Sequence, residues 1–356
     1  MPSKSDAIRF SLIGHWGQNL AFTRHIESPL RTYCHRNSYD VIVINALDIF
    51  KDDGGNNRDD LPGLSFSRHC VTTFGNGYRT YLKCNEIARD IKTCQQRGKK
   101  IILSIGNGGK RRNGFGDKAA AIAYASTIWN LFLGGSYHVR TFGREVLDGI
   151  NIDISYHTQR YWFDEFIVEL RRLMDTDTSR KYLITTTTPC SFPNFWLGKT
   201  YARNSRLFDS FFISFVDSCA PQTVSAFNQA LSQWSTLPGP SIYIGLPANK
   251  DILNMGRFYM KPSEAVALYK KYNAIYPRIA GIILKDVSWD DVNKNNKGIR
   301  YSDQIAQVLK PDDHTTEKPR ITHSPVIPNN SGVKTMMTSA VSLFTVLIID
   351  VAMNVF

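Results

Sequence analysis

Eight short apolar runs separated by helical patterns constrain this chain more than any other feature. They read FSLIG (10–14), VIVINAL (41–47), KIILSIG (100–106), LDGINIDI (147–154), YLITTTT (182–188), FFISFV (211–216), IYIGLP (242–247) and AGIILKD (280–286). Most are nearly continuous in Ile, Val, Leu and Phe, as strands buried on both faces of a parallel sheet must be. Between them lie AAAIAYASTIWNLFL (119–133) and YWFDEFIVELRRLM (161–174), whose apolar residues recur at three-and-four spacing. Eight alternations of strand and helix fit a closed barrel better than an open sheet. The expected fold class is therefore α/β, a (β/α)8 TIM barrel.

One barrel fits within 356 residues. It is expected over 9–310, behind an N-terminal leader remnant, 1–8, that shows no apolar signal region. Residues 311–335, PDDHTTEKPRITHSPVIPNNSGVKT, read as a disordered Pro/Ser/Thr stalk. Residues 336–356 form an apolar tail broken only by Asp350, a lipid-anchor signal or a transmembrane helix. Asn330 and Ser331 supply small residues suited to anchor attachment, and Asn329-Asn330-Ser331 is a glycosylation sequon.

The net charge of +12 favours acidic partners: nucleic acid, an anionic polysaccharide or a membrane surface. The chain has no aromatic-and-basic motif of a nucleic-acid module, so no nucleic acid is expected. The histidines and cysteines lack zinc-ligand spacing, so neither a metal nor a cofactor is expected. IGNGGKRRNGFG (105–116) resembles a phosphate-binding loop, but Arg111 stands where the third glycine of GxGxxG belongs. The six cysteines, Cys34, Cys70, Cys84, Cys94, Cys190 and Cys219, suit either buried thiols or three disulfides.

LDGINIDIS (147–155) is the stretch that points to chemistry, because Asp148, Asn151, Asp153 and Ser155 recur along a strand that ends in a loop. It resembles the DxxDxDxE motif of glycoside hydrolase family 18, the class III chitinases in particular, with serine in place of the final acid. HWGQN (15–19), KIILSIGNGG (100–109), FLGG (132–135) and TPCSFPNFWLG (188–198) are similar to further family segments. The resemblance runs over roughly 9–311 and implies the pairing Cys34–Cys94, Cys70–Cys84 and Cys190–Cys219.

Family members use the motif glutamate to protonate the glycosidic oxygen, while the substrate's own N-acetyl carbonyl attacks the sugar. A serine hydroxyl is too weak an acid and too short for that task. By the same resemblance Asn151 replaces an aspartate. Ser214-Phe215-Val216 lacks the tyrosine that holds the N-acetyl group, and Lys285 replaces the tryptophan floor under the sugar. An ion pair between Lys285 and the retained Asp153 is expected to fill the old sugar site.

The catalytic positions Asp148, Asn151, Asp153 and Ser155 are thus expected to be degenerate, and no catalysis is expected from them. Cleft candidates are Trp16, Gln18, Asp153, Ser214, Val216, Lys285 and Trp289, with Trp196 as a further stacking candidate. The expected role is a monomeric, non-catalytic protein outside the cell or at its surface that binds chitin-like glycans. Alternatives are a glycosidase inhibitor or storage-like protein, docking an acidic protein partner through Lys110-Arg111-Arg112, and a weakly active hydrolase with Asp153 as acid.

Overall fold

The computed structural model describes residues 10–21, 24–50, 61–106, 114–154, 161–193 and 197–310. Eight parallel strands are present: β1 (Leu12–Trp16), β2 (Val41–Ile49), β3 (Lys100–Ile105), β4 (Gly149–Asp153), β5 (Leu183–Pro189), β6 (Ser210–Ser214), β7 (Ser241–Pro247) and β8 (Ile279–Lys285). Each falls on one of the apolar runs. β1 pairs with β2 through Ile13↔Val41 and with β8 through Leu12↔Ile282, which closes the sheet into the expected (β/α)8 barrel.

Nine helices are described among these residues. α1 (Leu30–Cys34), α2 (Asn85–Gln96), α3 (Lys118–Phe132), α4 (Phe163–Met174) and α5 (Gly198–Asn204) come first. α6 (Val224–Trp234), α7 (Pro262–Ile275), α8 (Val287–Val292) and α9 (Tyr301–Leu309) complete the set. α4 shows the sequence logic: Phe163, Phe166, Ile167, Leu170 and Met174 are its buried stripe.

Alternation along the strands sorts residues into two cores. Ile13, Val41, Val43, Ile102, Leu183, Phe212, Tyr243 and Ile283 pack together in the bore. Their neighbours Leu12, Ile42, Ile44, Ile101, Ile184, Phe211, Ile242 and Ile282 join the larger core under the helices.

Two glycines let strands approach the one carrying the motif. A Cβ on Gly149 would meet the Leu183 carbonyl oxygen at 2.1 Å, and one on Gly106 would meet the Asp153 carbonyl oxygen at 2.5 Å. Disulfides Cys34–Cys94, Cys70–Cys84 and Cys190–Cys219 form as the family resemblance implies. They tie α1 to α2, clasp the Thr73–Gly75/Tyr78–Leu82 hairpin, and join the loops after β5 and β6. Each contributes about 2–4 kcal/mol.

No described helix is long and apolar enough to cross a membrane. The expected leader, stalk and tail, with Asn330 and Ser331, lie outside the described residues.

Candidate functional site

The barrel's period-two alternation dictates which side chains top the bore. Continuing the inward alternation reaches His15, Asn45, Ser104, Asn151, Asp153, Thr185, Thr187, Ser214 and Lys285, which run from mid-strand to the C-terminal strand ends. Loops at that end form the functional face of such barrels.

Asp148, the first motif position, belongs to the opposite end. It accepts hydrogen bonds from Lys100 Nζ (2.9 Å), Gln95 Nε2 (2.9 Å) and the Ile101 amide (3.0 Å). Asp40 and Asp209 repeat the arrangement, each preceding a strand, accepting an amide proton from the adjacent strand and pairing with Lys310 or Arg171. This acidic ring pins the base of the barrel. Asp148 and Asp153 are five positions apart, about 16 Å along a strand.

Asn151 is locked in a neutral network. Its amide nitrogen donates to Ser104 Oγ (3.2 Å) and Thr187 Oγ1 (3.0 Å), and its oxygen accepts from Thr185 Oγ1 (3.0 Å). Asp153, one step higher, is buried, and its Oδ2 has no hydrogen-bond partner among the described residues. Burial lifts its carboxyl to about 6 against the lowering effect of Lys285.

Two spaces lined by described residues open above. The larger, about 230 Å³, is lined by His15, Trp16, Gln18, Leu20, Asn45, Lys285 and Asp286. The smaller, about 40 Å³, is lined by residues that include His15, Thr187, Ser214, Val216, Met255 and Lys285. His15 and Lys285 border both, so they form the wall between them.

His15 Nδ1 lies 3.2 Å from Asn45 Oδ1. Burial, reinforced by the Lys285 charge, pushes its pKa down to about 4, so the imidazole is neutral. Asp286 accepts from Ser288 Oγ (2.7 Å) and the Trp289 amide (3.2 Å), which caps α8.

The expected ion pair between Lys285 and Asp153 is not formed: Lys285 acts on Asp153 only as a charge at longer range. The sheet order gives the reason. β4 and β8 stand four strands apart in an eight-stranded ring, on opposite walls of the bore. Asp153 also lines neither space.

The other cleft candidates divide. Gln18 lines the larger space, but its amide donates to the Asn45 carbonyl (2.9 Å) and the Ser65 carbonyl (3.3 Å). Trp16 borders the same space with only 1% of its surface exposed, and its indole N–H donates to the Ser28 carbonyl (2.9 Å). Ser214 and Val216 line the smaller space. Trp289, expected in the cleft, is instead buried and lines neither space. Ser155, Trp196 and Lys110-Arg111-Arg112 lie outside the described residues.

Sequence reasoning passed over Glu27 and His69. Glu27 Oε2 accepts from His69 Nε2 (2.9 Å) and the Gly17 amide (2.9 Å), and the His69 ring lies 4.4 Å from that of Trp16. Burial lifts Glu27 to about 7. No spacing rule connects residues 42 apart, so only the fold could reveal this support for the Trp16 wall. Among the described residues no cluster of side chains could hold a metal ion.

Comparison with known proteins places these features. The family profile of "Glycosyl hydrolases family 18" matches residues 20–319. "Chitinase 2" of Candida albicans is 30% identical over 298 residues, covering 83% of this chain and 47% of that protein. "Acidic endochitinase" of Nicotiana tabacum is 31% identical over 250 residues, covering 69% and 77%. The chain thus spans about half the length of its fungal relatives. Among solved structures, the ICChI chitinase of Ipomoea carnea superposes with a TM-score of 0.67 at 24% identity, covering 83% of this chain and 98% of that one. A xylanase and α-amylase inhibitor, XAIP-I, solved in complex with trehalose, gives 0.67 at 25% identity, with 83% and 97% covered. The chain belongs to glycosyl hydrolase family 18.

Proposed function

We propose that this protein is a chitinase-like glycan-binding protein without hydrolytic activity, acting outside the cell on chitin or related N-acetylglucosamine glycans. The observation that carries this reading is Lys285. A half-buried ammonium stands at the end of β8, where the family resemblance expects a tryptophan floor, and it walls off part of the space a sugar ring would fill. The fully hydrogen-bonded Asn151 and the serine at position 155 agree with it. Asp153 has the raised pKa of an acid catalyst but lines neither space, which argues against its taking over as proton donor.

Three disulfides suit an oxidising compartment. On this reading the tail at 336–356 is a signal exchanged for a lipid at Asn330 or Ser331, and that lipid holds the protein at the cell surface. Release from intact cells by phosphatidylinositol-specific phospholipase C tests the anchor; retention assigns the tail to a spanning helix.

A second reading, an inhibitor of other glycosidases, draws support from the similarity to XAIP-I. Ile26 and Leu253, in loops on the C-terminal face, are 62% and 82% exposed, as a protein-docking surface would require. Retention on chitin beads supports the first reading. Inhibition of a xylanase or an α-amylase without bead retention supports the second.

A further inference from the structure

We propose that Tyr161 and Trp162 form an aromatic platform on the C-terminal face that stacks against a sugar ring of the bound glycan, an inference that rests on the glycan-binding reading above. They close the connection from β4, the strand that carries the motif, into α4. Tyr161 is 68% exposed and Trp162 39%, and no other Tyr or Trp among the described residues is a large exposed apolar side chain. Neither side chain has a ring contact or hydrogen bond among the described residues.

The backbone supplies an independent argument. Trp162 has φ 68° and ψ 12°, the left-handed region that a bulky residue avoids, and it makes no side-chain capping bond to α4. Glycine or asparagine would take this corner with less strain. Strain of this kind persists where the surrounding structure enforces it, and it clusters at ligand-binding positions.

The enforcement is visible. The next residue, Phe163, is buried with its ring 5.0 Å from Phe115 and 6.1 Å from Phe50. Asp164 is held by Asn204 Nδ2 (3.0 Å) and Arg203 (2.6 Å). A rigid pedestal therefore presents two aromatic side chains to solvent, a preorganised surface for the apolar face of a pyranose ring. Among the described residues it adds an exposed aromatic surface that Trp16 and Trp289, both buried, do not offer.

The test compares the whole protein with Trp162→Asn and Tyr161→Ala. Affinity for an N-acetylglucosamine hexamer is measured by calorimetry, and Tm by thermal unfolding. Each substitution is expected to weaken binding roughly tenfold. Trp162→Asn is expected to melt at the wild-type temperature or roughly 2 °C above it, because asparagine tolerates the left-handed corner. A purely structural Trp162 predicts the reverse: a lower Tm, with affinity unchanged or lost only alongside it, and no effect of Tyr161→Ala. That result overturns the platform. Wild-type binding that both variants retain overturns the platform alone. Absence of wild-type binding overturns the platform and the glycan-binding reading together.

Discussion

Replacing Asp153 by asparagine should stabilise the protein, and should do so only above a defined pH. The carboxyl is buried with one oxygen unpartnered among the described residues, and its pKa stands at about 6 against 3.8 for an unperturbed aspartate. A pKa raised on folding means that the protonated form is favoured in the native state. The associated stability is fully present below pH 3.8 and is lost as pH rises through about 6. A shift of roughly two units corresponds to about 3 kcal/mol by pH 7.5. The substituted side chain carries no charge and escapes this cost, although its own amide needs partners, so the net gain is set at about 1–3 kcal/mol. Urea denaturation of both proteins at several pH values between 4 and 8 measures it. The difference should be near zero or negative at pH 4, grow through pH 5–6 and level off above 7. An Asp153→Asn variant that is destabilised at pH 7.5, or a gain that does not change with pH, refutes the reasoning.

Lys285→Met should raise the Asp153 pKa above 6 and lift His15 above 4, since the ammonium opposes the first shift and reinforces the second; side-chain NMR titration reads both. Gly149→Ala should cost about 3 kcal/mol in chemical denaturation, because its Cβ would lie 2.1 Å from a backbone oxygen of β5. Ser155→Glu alone should remain without chitinase turnover, since the restored acid would face a site with Lys285 and Val216 in place of the tryptophan and tyrosine of the family pattern. Adding Val216→Tyr and Lys285→Trp should bring measurable hydrolysis, and family-like rates from the single change would show that the pocket was intact.

The barrel was legible because each strand is buried on both faces and so declares itself as an apolar run, from FSLIG to AGIILKD. The family resemblance put Ser214 and Lys285 in the cleft, and both line its smaller space. Partnership was not legible. Asp148 and Asp153 look alike in LDGINIDIS, yet one anchors the barrel base through Lys100 and the other sits near the top with its Oδ2 unpartnered among the described residues. The expected Lys285–Asp153 pair failed because chemical complementarity ignores which strands face each other across the ring. Trp289 was misjudged because an indole beside a strand end serves packing as readily as sugar binding. Trp162 was missed because its meaning lies in a backbone angle and an exposure that no residue pattern encodes.

On the proposed reading, the cleft of this family 18 protein performs no glycoside hydrolysis. The most direct test is incubation of purified protein with N-acetylglucosamine oligomers, followed by mass-spectrometric analysis of chain lengths. The oligomers are expected to persist unchanged, as in a heat-inactivated control. Shorter oligomers accumulating above that control would contradict it.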